Sequence, residues 1–208
     1  MMDFPDKFDE STRPLPAELG QAGTEAVQKL AERGYEIQVG LTPALADQIL
    51  TMSQEPSIRE YCPKDCSQRF ADRTSAERWL EKKRAVFVLL KKEGDGLSLA
   101  GYGWAGPASS SHVPGGVNTF AVRIGEVGQG QGLAAPFSWL IIAGSAVLYG
   151  ARDFWLETWA SNGGAVHIYH KIGFETVDEQ VDDRLTRDSQ KISDTRVYMS
   201  LSNQLLPS

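Results

Sequence analysis

Residues Asn118 to Phe174 read NTFAVRIGEVGQGQGLAAPFSWLIIAGSAVLYGARDFWLETWASNGGAVHIYHKIGF, and the succession of patterns in this stretch decides the fold. Asn118–Ile124 alternates as a strand, and the glycine loop Gly128-Gln129-Gly130-Gln131-Gly132 follows. A long apolar helix comes next, then a strand over Phe154–Thr158 and a short helix over Gly163–Ile172, closed by Gly173. A glycine loop that opens a helix directly after a strand points unpaired backbone N–H groups outward at a positive helix end, a setting suited to phosphate or diphosphate. Tyr169 arrives shortly after the next strand, within reach of whatever that loop holds.

Outward from this block, the pattern continues on both sides. A helix is expected over Thr24–Arg33 with Gly34 as its left-handed cap, then a strand over Tyr35–Val39. Thr42-Pro43 marks a helix start, with Leu45, Ile49 and Met52 at helical spacing. Thr74 and Glu77 form a capping box for a helix reaching Arg84. Ala85–Lys92 and Leu97–Ala105 read as a hairpin across Glu93-Gly94-Asp95-Gly96. Arg196–Leu201 is a last strand, and acidic Asp178–Asp194 is expected as a loop. Residues 1–20 are polar and proline-dotted, an expected flexible arm, with a single domain over 21–208. The element order predicts an α/β (α+β) fold, a mixed sheet with helices on both faces.

Composition narrows the function. With 208 residues, one sizeable core fits and two domains do not. The net charge of -6 argues against a nucleic-acid partner, which requires a basic face. It suits steering of a cationic amine. No signal pattern opens the chain, and a cytoplasmic location is expected. Residues 127–151 carry no charged side chain, long enough to raise the question of a membrane span. The glycine loop at its start and Pro136 in its first turn favour a buried helix instead. Cys62 and Cys66 are expected as free thiols. Neither they nor His112, His167 and His170 have the spacing of a metal site.

Three glycine-loop chemistries compete. A nucleotide P-loop fails for want of a Gly-Lys-Ser/Thr ending. Gly130-Gln131-Gly132-Leu133-Ala134-Ala135 satisfies the dinucleotide fingerprint, with Glu157 ending the next strand, and would make the chain a nicotinamide-dependent oxidoreductase. The third explains more residues. Val127-Gly128-Gln129-Gly130-Gln131-Gly132, followed by Leu156-Glu157-Thr158-Trp159-Ala160-Ser161-Asn162 and then Ala165, Tyr169, Lys171, Gly173 and Phe174, resembles the GNAT superfamily of N-acetyltransferases. That family's cofactor loop reads Arg/Gln-x-x-Gly-x-Gly/Ala, and Val127 departs from it at the first position.

The resemblance covers about a quarter of the chain. It implies a mostly antiparallel sheet splayed between the family's fourth and fifth strands, with acetyl-coenzyme A as co-substrate. The loop residues Val127, Gly128, Gln129, Gly130, Gln131, Gly132, Leu133 and Ala134 would hold its diphosphate. Asn162 would touch its pantetheine arm, and the Val122 N–H would donate to the thioester oxygen. Tyr169 would be the acid for the departing sulfur. Glu157, twelve residues earlier and on one strand face with Trp155 and Trp159, would be the base, as in ribosomal-protein-type members. The strand Asn118–Ile124 lacks the carboxylate many members carry there, which turns attention to Glu157 or a water chain.

Arg123 is open between solvent and the cofactor's 3′-phosphate. Tyr102 and Trp104 are open between an acceptor wall and the core. His112 reads as a solvated loop residue. The acceptor is a small-molecule amine or a protein amino group. Exposed sheet edges leave room for a homodimer. A non-catalytic acyl-coenzyme A-binding module is the remaining alternative.

Overall fold

The structure is a computed structural model and describes residues 1–94 and 96–201. Its strands are β1 (Arg13–Pro14), β2 (Tyr35–Val39), β3 (Ala85–Glu93), β4 (Gly96–Pro107), β5 (Asn118–Ile124), β6 (Phe154–Trp159), β7 (Glu175–Leu185) and β8 (Lys191–Leu201). They form one eight-stranded sheet in the order β1-β2-β3-β4-β5-β6-β8-β7. The helices are α1 (Gly20–Ala31), α2 (Pro43–Ser53), α3 (Pro56–Tyr61), α4 (Arg73–Leu80), α5 (Ala134–Tyr149) and α6 (Gly163–Lys171), with a π-helical turn at Asp65–Arg69. The expected α/β class and mixed sheet are therefore found.

Alternation along β3 separates two cores. Phe87 and Leu89 face α1, α5 and α6, packing with Leu30, Phe137 and Ile141. Val86, Val88 and Leu90 face the opposite way, toward Ile49 of α2 and Trp79 of α4. The uncharged stretch is α5, buried on most of its circumference and ended by Gly150 in the left-handed conformation at φ 69°. No helix among the described residues is long and apolar enough to cross a membrane. The sheet accepts α5 closely because β4 is small where they meet. A Cβ on Gly103 would stand 2.4 Å from Ile141 Cδ1 and 2.6 Å from the Ala121 carbonyl oxygen.

One strand pair breaks the antiparallel rule and builds the site. β5 and β6 run parallel and pair only at Asn118↔Phe154 and Thr119↔Trp155. Beyond Thr119 the two strands part. This is the expected splay, displaced by one in number because the short β1 adds an edge strand. β1 belongs to the segment expected as an arm. In that segment Phe4 stacks on Tyr149 at 4.8 Å, and the Met2 N–H donates to the Leu148 carbonyl.

Other expectations need correction. Asp178–Asp194 is a hairpin rather than a loop, since β7 and β8 pair from Glu175↔Ser200 out to Leu185↔Lys191. Its strands are largely exposed, with Val181 and Leu185 among polar residues and no period of two, so no alternation betrayed it. Helix α4 starts two residues earlier, because the Asp72 carboxylate accepts from the Ser75 N–H at 2.7 Å and supplants the Thr74 box. The helix stops at Leu80, and Lys83 at φ 61° turns the chain into β3. Glu93 and Gly96 pair across the expected hairpin turn; Asp95 within it, and 202–208 of the expected domain, lie outside the described residues.

Candidate active site

Where β5 and β6 diverge, a cleft of about 1090 Å³ opens between the two halves of the sheet. The glycine loop lies at one end. Gly130 and Gly132 adopt φ +72° and +68°, conformations that side-chained residues avoid. A Cβ on Gly130 would meet nothing within 4 Å, so its glycine is required by backbone conformation rather than by crowding. Gln131 is held by Tyr35, whose hydroxyl donates to its Oε1 at 2.8 Å, and its Nε2 donates back to the Val127 carbonyl at 2.7 Å. Gln129 Nε2 donates to Ser57 Oγ at 2.8 Å. Leu133 precedes α5 with no side-chain cap, which leaves the helix's leading amides for a ligand. Val127 is 57% exposed and braces the loop through its carbonyl alone. The departure from the family's polar residue thus falls on a side chain outside the loop's own bracing.

Strand β5 supplies a second set of donors. The carbonyls of Ala121 and Arg123 lie against β4, 2.6 and 2.7 Å from where Cβ atoms of Gly103 and Gly101 would stand. Strand alternation therefore turns the Val122 N–H and C=O away from β4. With β6 already departed, they face the cleft. The Val122 carbonyl is taken by Arg123 Nη1 at 2.8 Å.

Across the parting, Asn162 is the N-cap of α6, its Oδ1 accepting from the Ala165 N–H at 3.4 Å. Gly163 and Gly164 keep the first turn bare. One turn further, Tyr169 is only 6% exposed, packed edge-on to Phe120 at 6.1 Å and against Phe174 at 6.0 Å. Its hydroxyl finds no hydrogen-bond partner among the described residues, yet it is not sealed from the cleft that the residue lines. Burial pushes the phenol up to about 12, against the lowering influence of Arg123.

Glu157 lines the cleft from β6. It lies on the face shared with Trp155 and Trp159, but its side chain is 42% exposed and bonded to Arg196 Nη1 at 2.8 Å. Arg196 also reaches Asp182 at 3.2 Å and lies 4.1 Å over the Trp159 ring. No aromatic pocket closes on the carboxylate, because the neighbouring β8 places an arginine there.

Several residues that sequence reasoning missed form the third wall. Asp65, fully buried, accepts from Arg69 Nη1 at 2.5 Å, Arg123 Nε at 2.9 Å and the Tyr102 hydroxyl at 2.8 Å. Burial alone would raise its pKa, but Arg123 and Arg69 outweigh it and hold the carboxyl below the usual range. Arg123 is thus committed to this wall and to neither solvent nor a distant phosphate. Tyr102 is core, while Trp104 lines the cleft with Arg123 and Arg69 at 5.1 and 5.4 Å from its ring. Cys62, beside them, has its thiol raised to about 11 by burial, which makes it a poor nucleophile. Cys62 and Cys66 are free. Trp104 was open in the sequence as an acceptor wall; for Asp65 and Arg69 the advance signal was their spacing of four.

His112 is not a free loop residue. It stacks on Tyr198 at 4.2 Å and bonds Asp178 at 2.6 Å, outside the cleft. No cluster of three metal-ligating side chains occurs among the described residues.

No protein-family model matches the chain. No curated protein matches it. Solved structures do. Spermidine N-acetyltransferase from Vibrio cholerae, solved with CoA and spermine, superposes with a TM-score of 0.63 at 17% identity, over 81% of this chain and 96% of that one. Ribosomal-protein-S5-alanine acetyltransferase from Vibrio fischeri gives 0.64 at 12% identity, over 84% and 96%. A GNAT-family acetyltransferase from Streptococcus pneumoniae gives 0.56 at 17%, over 79% and 98%. The chain has the fold of the GNAT N-acetyltransferases. Its sheet also removes the dinucleotide reading, which needs a succession of parallel βαβ units where this sheet has one short parallel pair.

Proposed function

We propose that the chain is an acetyl-coenzyme A-dependent N-acetyltransferase that moves the acetyl group to a primary amine by direct attack within a ternary complex. The observation that carries this reading is the uncapped start of α5, with its two left-handed glycines, facing across the parted strands to a buried phenol with a free hydroxyl. Gly128 to Ala134 would hold the diphosphate through backbone amides, and Asn162 the arm that runs between the strands. The bound co-substrate supplies an activated acyl carbon.

The chain's own residues meet the remaining demands. The outward Val122 N–H is a donor for negative charge developing on a carbonyl oxygen. Tyr169, protonated at neutral pH, donates to the leaving sulfur. Glu157 takes the amine's proton, directly or through water. Arg196 divides itself between Glu157 and Asp182 and so does not neutralise that carboxylate alone. Homologous folds serve acceptors as different as spermidine and a ribosomal-protein alanine in the proteins named above, so small amines and protein amino groups both belong in the acceptor screen. The free thiols suit a cytoplasmic setting, and the residues from 21 onward are read as one catalytic domain.

Isothermal titration with acetyl-coenzyme A tests the reading. One-to-one binding is expected, weakened at least tenfold by Gly130→Val, since a β-branched residue is a severe misfit at positive φ. Unchanged affinity in that variant removes the loop from the site. Binding without release of coenzyme A thiol across a broad amine panel would leave a non-catalytic binding module.

A further inference from the structure

One buried cation lining the cleft has no carboxylate partner among the described residues. Arg84, just ahead of β3, is 8% exposed, yet it hydrogen-bonds only carbonyl oxygens: Pro107 at 2.7 Å, Lys82 at 2.9 Å and Lys83 at 3.5 Å. All three bonds use Nη1. Nε and Nη2 make no hydrogen bond among the described residues, and Arg84 is one of the residues that line the cleft. The tether through Nη1 fixes the guanidinium plane, so the remaining edge is a preset two-pronged donor. Such an edge fits a carboxylate or phosphate.

The surroundings sharpen the charge. Arg69, Arg84 and Arg123 line the same wall, and Asp65 serves Arg69 and Arg123 but not Arg84. Burial, reinforced by repulsion from Arg69, lowers the Arg84 pKa from its ordinary value. The carboxylates lining the cleft, Glu157 and Asp183, stand on the far wall and are already paired with Arg196 and Lys191. Lys64 and Lys82 add exposed positive charge at the rim. A buried charge without a counter-charge is costly unless a ligand provides one. Trp79 and Trp104, edge to face at 5.0 Å, give the same wall an apolar platform.

We propose that Arg84, with Arg69 beside it, is the acceptor-recognition site, and that the amine acetylated here carries a carboxylate or phosphate at the end away from its nucleophilic nitrogen. The proposal rests on the transferase reading above and names its substrate class. A polycationic acceptor would instead bring like charge against this wall.

The test compares acceptors matched in length: ω-amino carboxylates of two to six carbons, 2-aminoethyl phosphate, the corresponding alkylamines, and diamines, each with acetyl-coenzyme A and detection of released thiol. The acids are expected to have the highest kcat/KM. Arg84→Gln should raise their KM about tenfold to a hundredfold, the loss of a charge-assisted pair. The ratio of acid to alkylamine kcat/KM should fall by the same factor, with acetyl-coenzyme A affinity retained. Diamines or alkylamines matching or surpassing every acid would overturn the proposal. So would an Arg84→Gln variant that loses acetyl-coenzyme A affinity but keeps affinity for the 3′-dephospho form, since Arg84 would then hold the co-substrate's phosphate. If the variant does not fold, the wild-type ranking alone decides. Turnover of no amine at all, with acetyl-coenzyme A bound, instead defeats the transferase reading and takes this inference with it.

Discussion

Tyr169 and Glu157 occupy opposite surroundings, and the difference assigns their tests. The Tyr169 phenol is buried and unpartnered, so Tyr169→Phe removes a hydroxyl that holds nothing together. Turnover should fall about a hundredfold or more, with acetyl-coenzyme A affinity and thermal midpoint nearly unchanged; unaltered turnover excludes Tyr169 as the acid. Its raised pKa has a defined sign. The folded state holds the phenolic proton more tightly than the unfolded chain, so the group's contribution to stability is intact below about pH 10. It is lost as pH climbs toward about 12. Turnover should therefore not decline through pH 10 on account of this residue; a decline centred there and absent in Tyr169→Phe would contradict the assignment. Tyr169 and Asn162 were legible in the sequence because helix-start chemistry and a specific motif coincide there. Arg84 was not: a charge that closes Lys82-Lys83-Arg84 looks like a solvated helix end until β3 is seen to bury it.

At the scale of elements, the π-helical turn and the β7–β8 hairpin shape the acceptor side. The turn exists to bring Asp65 under two guanidiniums. Asp65→Asn would leave Arg69 and Arg123 without their counter-charge and should cost about 3–5 kcal/mol, read by denaturant unfolding. Because the folded state depresses this carboxyl, its stabilisation is complete above the ordinary aspartate range and disappears only as pH falls below it. A loss under 1 kcal/mol would show that the wall is not built around Asp65. The hairpin is fastened by Arg184, which bonds Glu60 of α3 at 2.8 Å and Asp194 at 2.7 Å while lying over Tyr61. Arg184→Ala should free the hairpin without unfolding the body, seen as faster amide exchange over 180–195 alone; exchange that rises everywhere would refute a local fastening. Neither element could be read in advance. Strand β7 has solvent on both faces, so no period of two exists to detect, and its pairing is decided by β8.

For the molecule as a whole, the parted sheet and the uncharged helix between its halves were readable, because strand, glycine loop, helix and strand follow in an order with few solutions. The acceptor was not. Net charge of -6 suggested a cationic substrate, yet the cleft itself is lined by arginines, and a global sum says nothing of where charges gather. Occupancy of such a cleft ties both halves of the sheet together. Acetyl-coenzyme A at a hundred times its Kd should therefore stabilise the fold by about 2.7 kcal/mol, measurable as a rise in thermal midpoint; no rise at saturating concentration would place the ligand outside the folded cleft. The most direct measurement is a crystal structure of the chain with acetyl-coenzyme A. It should show the diphosphate on the amides between Gly128 and Ala134, with the sulfur within hydrogen-bonding reach of the Tyr169 hydroxyl. A diphosphate bound anywhere else, or a sulfur remote from that phenol, would contradict the account.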